Sequence, residues 1–86
     1  MQKLVIHGIY KHYKGDLYIV EDVAEHSETK EDLVIYRALY GESKLYARPK
    51  TMFLEEIDTT KCTALGLPIQ KNRFELQNIK SVAPPQ

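Results

Sequence analysis

The sequence is poor in cysteine and in long apolar runs, and each shortage excludes a class of protein. Its one cysteine, Cys62, cannot form an intramolecular disulfide, and no cysteine pair is present to begin a zinc ribbon. No apolar run is long enough to cross a membrane or to form the core of a signal peptide. We therefore expect a soluble, cytoplasmic protein. No glycine-rich phosphate loop and no familiar metal-ligand spacing occurs, so we expect no metal and no cofactor.

The chain also lacks a net charge, because 12 basic and 12 acidic residues cancel and are interspersed. Proteins that draw their affinity for nucleic acid from phosphate contacts usually carry a basic excess, so a nucleic-acid partner is not expected. What the composition does contain is tyrosine: six tyrosines stand beside two phenylalanines and no tryptophan. Tyrosine suits both half-buried strand positions and binding surfaces, so composition leaves both uses open.

A length of 86 residues allows one small domain, with a thin stability margin. We assign residues 1–80 to that domain and residues 81–86, which contain Pro84-Pro85, to a flexible tail. Self-association is compatible with so small a core, although nothing in the sequence specifies a number of copies.

Short β-prone segments separated by turn signals dominate the chain, at residues 8–13, 17–25, 33–40, 45–48 and 52–57. Lys14-Gly15-Asp16 is typical of a tight turn. The alternation of apolar and polar residues is interrupted at Glu21-Asp22, which predicts a β-bulge there. Pro49 should end the fourth strand, because proline has no N–H to donate. Residues 58–68 look like a loop, whereas 73–77 fit either a closing edge strand or a helical turn. The pattern predicts an all-β fold: a small SH3-like, partly open five-stranded antiparallel barrel with room for one short helical turn.

Several strings in this sequence form a recognisable set. They are residues 8–15 with H-Y-K-G, residues 26–29 with H-S-E-T, residues 34–41, Arg48-Pro49, Met52-Phe53, and the later pair Arg73-Phe74. Together they resemble a bacterial and phage family known as domain of unknown function 1653. The chain departs from that pattern in a longer segment at 59–70, and in Tyr46-Ala47 where the family tends to have tryptophan. The resemblance implies almost nothing about activity.

If the strands alternate in direction, the turns sort onto two ends of the sheet. Residues 26–32 and 48–50 then share one end, which predicts that His26, Ser27, Glu28 and Arg48 are neighbours. The planar donor fork of Arg48 matches a carboxylate or a phosphate, and His26 and Ser27 are able to donate to the same ligand. The alternative is that Arg48 pairs with Glu28 and joins two loops, while His26 and Ser27 only stabilise the turn.

Three further candidate ligand-binding residues belong to the opposite end of the sheet. Lys14 follows the first strand, His12 lies near its end, and Tyr40 lies near the mouth of the sheet. The alternatives are a solvated turn lysine, a core histidine, and a wall tyrosine that shares a face with Tyr36.

Two classes of function remain open. The first is a non-catalytic module that binds a small anionic ligand, nucleotide-like or a carboxylate. The second is a protein- or peptide-interaction module that uses the tyrosine-rich barrel face. A hydrolase ranks third, because Ser27 would need His7 as its base, and we expect a binding protein rather than an enzyme.

Overall fold

Five antiparallel strands form one sheet in the computed structural model, which describes residues 2–78. The strands are β1 Ile9–His12, β2 Leu17–Glu25, β3 Asp32–Ala38, β4 Leu45–Pro49 and β5 Phe74–Leu76, and the helices are α1 Lys50–Phe53 and α2 Thr60–Ala64. The strand order is β4-β3-β2-β1-β5, so the sheet is open, with β4 and β5 at its edges. The predicted mostly antiparallel, partly open fold is confirmed.

The bends of the sheet come from turn and bulge chemistry that the sequence predicted. Val20 pairs with Tyr36 but Asp22 pairs with Ile35, which leaves Glu21 as the extra residue of a bulge in β2. Gly15 adopts a φ of 114° in the turn between β1 and β2, a region that residues with a Cβ rarely enter. Pro49 ends β4, as expected from its missing N–H.

One face of the sheet, here called the inner face, carries the core. Its buried members come from four strands and from the segment after β4: Tyr10, Val20, Val34, Tyr36, Phe53, Leu54 and Phe74. The ring of Phe53 stacks on that of Phe74 with centroids 4.2 Å apart, and so connects α1 to the edge strand β5. Side chains of the residues between, such as Ile9, Ile19 and Ile35, project from the other face and are half-buried.

The predicted strand at 52–57 is wrong over its first half, because residues 50–53 form α1. Phe53 and Leu54 are adjacent and both buried, whereas a strand would place them on opposite faces. A helical turn brings both into the core. Only the end of the segment is extended: the N–H of Ile57 donates to the carbonyl of Lys71, and Glu56 forms an isolated bridge with Asn72.

The predicted loop at 58–68 contains the short helix α2, which is stabilised by hydrogen bonds at both of its ends. The Asp58 carboxylate accepts the backbone N–H of Thr60, and this bond lowers the pKa of Asp58. Gly66 closes the helix with a φ of 67°, which lets the N–H of Leu67 reach the carbonyl of Cys62. The Cys62 side chain is fully buried.

The choice left open at 73–77 resolves in favour of a strand, because β5 pairs with β1 from Tyr10↔Leu76 to His12↔Phe74. The predicted tail at 81–86 lies outside the described residues. Within residues 2–78, neither helix has the length and apolar character needed to cross a membrane.

Candidate functional site

Four tyrosines gather on the inner face, near the end that holds the turns 14–16 and 39–44. We call Tyr18, Tyr36, Tyr40 and Tyr46 the tyrosine cluster. The ring of Tyr18 lies edge-on to the other three, with centroids 5.4 Å, 5.5 Å and 6.3 Å away respectively. The hydroxyls of Tyr18 and Tyr40 are hydrogen-bonded at 2.7 Å. Burial, and then this bond, raises the pKa of Tyr18 well above its ordinary value, so the phenol stays neutral.

Arg48 lies on the same face, two residues after Tyr46 on β4. Its Nε donates to the hydroxyl of Tyr36 at 3.3 Å, and its guanidinium carbon lies 5.7 Å from the centroid of the Phe74 ring. These contacts orient a planar cation over an aromatic ring.

The remaining donors of Arg48 have no partner among residues 2–78. Within residues 2–78, Arg48 forms no ion pair, and neither of its two Nη atoms has a hydrogen-bond partner. No fully buried side-chain nitrogen or oxygen in this part of the chain lacks a partner, so neither Nη group is completely sealed from solvent. Arg48 is therefore an oriented cation with free donors.

His12 ends β1 beside this arginine. Its ring packs edge-on against Phe74 with centroids 5.0 Å apart, and its Nδ1 accepts the backbone N–H of Lys14 at 3.1 Å. Burial, and then the positive charges of Arg48, Arg73 and Lys14, lowers the pKa of His12 to about 4. The ring is thus neutral at pH 7, and its proton must sit on Nε2, since Nδ1 is an acceptor.

The other two cations near His12 differ in their availability. Arg73 is paired with Glu55, which neutralises its charge. Lys14 has no carboxylate partner within the described residues and lies 6.0 Å from the centroid of the Tyr13 ring. We call His12, Lys14, Tyr36, Arg48 and Phe74 the Arg48 site. Within residues 2–78 it presents two cations without an ion pair and a neutral donor, and the Asp16 carboxylate is the one negative charge that acts on His12 there.

The predicted trio His26, Ser27 and Glu28 lies in the turn between β2 and β3. Nδ1 of His26 accepts the backbone N–H of Glu28 at 3.1 Å and that of Thr29 at 3.2 Å, so the imidazole stabilises the turn. Ser27 and Glu28 are exposed. A role for this trio in ligand binding stays a prediction.

The candidate site residues predicted from the sequence thus lie in two places, the turn that holds His26 to Glu28 and the inner face that holds Arg48. Arg48 pairs with Val34, and its side chain runs over the inner face to Tyr36 and Phe74 rather than into an ion pair with Glu28. The structure brings Arg48 together with His12, while Tyr40 belongs to the adjoining tyrosine cluster. Sequence reasoning missed Tyr18, Tyr46 and Phe74. The i, i+2 spacing of Tyr46 and Arg48 was the available signal.

A cavity of about 200 Å³ opens beside the tyrosine cluster, lined by Ala38, Tyr40, Gly41, Glu42, Lys44 and Tyr46. No group of three or more histidine, cysteine, aspartate or glutamate side chains within residues 2–78 is placed to hold a metal ion.

Comparison with known proteins identifies a family and a solved structure that are similar to this chain. The sequence profile of a family described as "Protein of unknown function (DUF1653)" matches residues 8–76. The crystal structure of a DUF1653 protein from Bordetella bronchiseptica is 30% identical in sequence, is covered over 99% of each chain, and superimposes with a TM-score of 0.68. Comparison with curated proteins gives no match. The Arg48 site and the tyrosine cluster both lie inside the matched segment.

Proposed function

The chain belongs to the DUF1653 family, and we propose that its Arg48 site binds a small anionic ligand, a carboxylate or a phosphate, without transforming it. The observation that carries this proposal is the free donor pair of Arg48. A guanidinium with two accessible Nη groups, held at Nε by Tyr36, offers the bidentate geometry that carboxylates and phosphates accept.

The surroundings of Arg48 add donors and charge of the same sign. The Nε2–H of neutral His12 has no protein partner within residues 2–78, and Lys14 is an unpaired cation on the adjoining turn. A ligand that supplies negative charge would relieve the repulsion among these groups. The same surroundings disfavour a positively charged ligand.

A binding role is favoured over catalysis by the kind of groups the site holds. Arg48, Lys14 and the Nε2–H of His12 are donors, and a fixed Nδ1 acceptor leaves His12 no free lone pair with which to take a proton. Such a set holds an anion in place. The only cysteine is buried against the carbonyl of Gln70, away from these groups.

The test is a titration of the protein with ribose 5-phosphate, followed by NMR of backbone amides and of the Arg48 Nε–H signal. We expect the shifts to concentrate in β4, in the end of β1 with the 14–16 turn, and in the Arg48 side chain. Arg48→Lys keeps the charge but loses the fork, so affinity should fall by about one to two orders of magnitude.

The matched control is Arg37→Lys. Arg37 lies on the other face of the sheet, in an ion pair with Glu21 at 2.9 Å, so its replacement should leave the affinity unchanged. Equal affinity of the wild-type and Arg48→Lys proteins would overturn the proposal.

A second candidate function is the capture of an extended peptide along β4. This strand is a sheet edge, and the side chains of Leu45 and Tyr46 on it are exposed. An exposed edge offers unpaired backbone donors and acceptors to an added strand. Peptides selected from a displayed library should then shift the β4 amides in both the wild-type and the Arg48→Lys proteins. Selection of peptides that leave β4 unaffected would contradict this role.

A further inference from the structure

The cavity beside the tyrosine cluster has two partly exposed tyrosines among the residues that line it. Its walls include Tyr40 and Tyr46, residues that are 43% and 38% exposed. Its remaining lining contains Ala38 and Gly41, which have little or no side chain to fill the space. Exposed aromatic faces of this kind are the surfaces on which nucleobases and similar rings stack.

The two rings are held in place before any ligand arrives. The hydroxyl of Tyr40 is hydrogen-bonded to that of Tyr18, and the Tyr46 ring lies against that of Tyr36 with centroids 5.6 Å apart. Partial desolvation, and then the neighbouring Tyr40, raises the pKa of Tyr46, which agrees with the closeness of the two phenols. Rings that are already ordered lose little entropy when a ligand stacks on them.

Tyr46, which lines the cavity, is also the nearest residue on the same face of β4 to Arg48. Tyr46 and Arg48 are two residues apart on one face of β4, a separation of about 7 Å along the strand. Tyr36 contacts both, through its ring to Tyr46 and through its hydroxyl to Arg48. A ligand that fills both places therefore needs a ring and an anion joined by a short spacer, such as a five-membered sugar.

Resting on the proposed function, we propose that the ligand class is a nucleoside monophosphate, with its base against Tyr40 and Tyr46 and its phosphate on Arg48. Glu42 and Lys44, which form an ion pair at 3.9 Å on the cavity rim, present an acceptor and a donor near the base. Polar groups of both kinds at the rim suit the edge of a nucleobase.

The experiment compares AMP with its two parts, ribose 5-phosphate and adenosine, by NMR titration at fixed ionic strength. We expect AMP to bind about 5- to 150-fold more tightly than ribose 5-phosphate, as stacking of one base would provide. Tyr46→Leu should lower the affinity for AMP more than the affinity for ribose 5-phosphate, and so reduce that difference. A thermal melt establishes that this variant remains folded, and Tyr40→Leu serves as the second variant.

The outcomes separate the two proposals. Equal affinities for AMP and ribose 5-phosphate overturn the base site and leave the anion site standing. Equal affinities for AMP and adenosine, both unaffected by Arg48→Lys, overturn the anion site. Absence of binding by all three probes overturns both.

Discussion

The hydroxyl of Tyr36 accepts the Nε–H of Arg48, so a buried core residue orients the cation of the proposed site. Tyr36 is 5% exposed, and its ring packs on those of Tyr18, Phe53 and Phe74. Packing in the core and the orientation of Arg48 thus depend on different atoms of one side chain, and substitutions can separate them.

Tyr36→Phe should keep the packing and lose the acceptor for Arg48. We expect a loss of about 0.5–1.5 kcal/mol in the free energy of unfolding, together with a lower affinity for ribose 5-phosphate. Tyr10→Phe is the control, because the Tyr10 hydroxyl accepts the N–H of Val5 and has no contact with Arg48. Urea melts and NMR titrations should show destabilisation in both variants and weaker binding only in Tyr36→Phe. Weaker binding in both would contradict the orienting role.

Tyr36→Ala should remove most of the ring contacts at the centre of the inner face. The expected loss is about 3–5 kcal/mol, the range for truncation of buried aromatic residues. Tyr40→Ala should cost much less, since the Tyr40 ring is 43% exposed. Urea denaturation measures the free energy of unfolding of both variants. A loss below about 1 kcal/mol for Tyr36→Ala would contradict the burial of Tyr36.

The fold should lose stability in acid through His12. Its pKa is lowered to about 4 in the folded protein, against 6.5 ordinarily, because burial penalises the charged ring. The unfolded chain therefore binds a proton first, and the stability from neutral His12 is complete above pH 6.5 and lost as the pH falls towards 4.

The measurement is the free energy of unfolding at pH 7 and at pH 4.5, for the wild type and for His12→Gln. The variant should lose less stability between the two values, because its carboxylates titrate as before but the imidazole is gone. Parallel losses in the two proteins would show that His12 does not contribute.

Gln70→Ala should destabilise the junction between β1 and the segment before β5. The Gln70 amide is buried and donates to the carbonyls of Lys11 at 2.8 Å and Asn72 at 3.0 Å. Loss of the shared donor leaves these acceptors unsatisfied, at an expected cost of about 1–3 kcal/mol. Gln77→Ala, which removes only a local bond to the Glu75 carbonyl, should cost less in the same urea melts.

Strand positions were predictable wherever local alternation and turn chemistry acted together. The bounds of β2, the bulge at Glu21, the turn at Gly15 and the end of β4 at Pro49 all follow from backbone preferences of single residues or neighbours. The prediction of a strand where α1 lies was wrong, because the burial of the adjacent Phe53 and Leu54 depends on contacts with distant strands. The prediction was wrong at α2 because Asp58 and Gly66, which form hydrogen bonds and turns at its ends, also resemble loop residues.

The sequence by itself determined the residue types of the candidate site, including the donor fork of Arg48 and the abundance of tyrosine. Only the tertiary structure decided which of them meet. Alternation places Arg48 on a face, but the curvature of the sheet brings its guanidinium over Phe74 and beside His12, rather than to the turn that holds Glu28. Curvature arises from bulges and long-range packing summed over the whole sheet, and no local stretch of sequence specifies that sum.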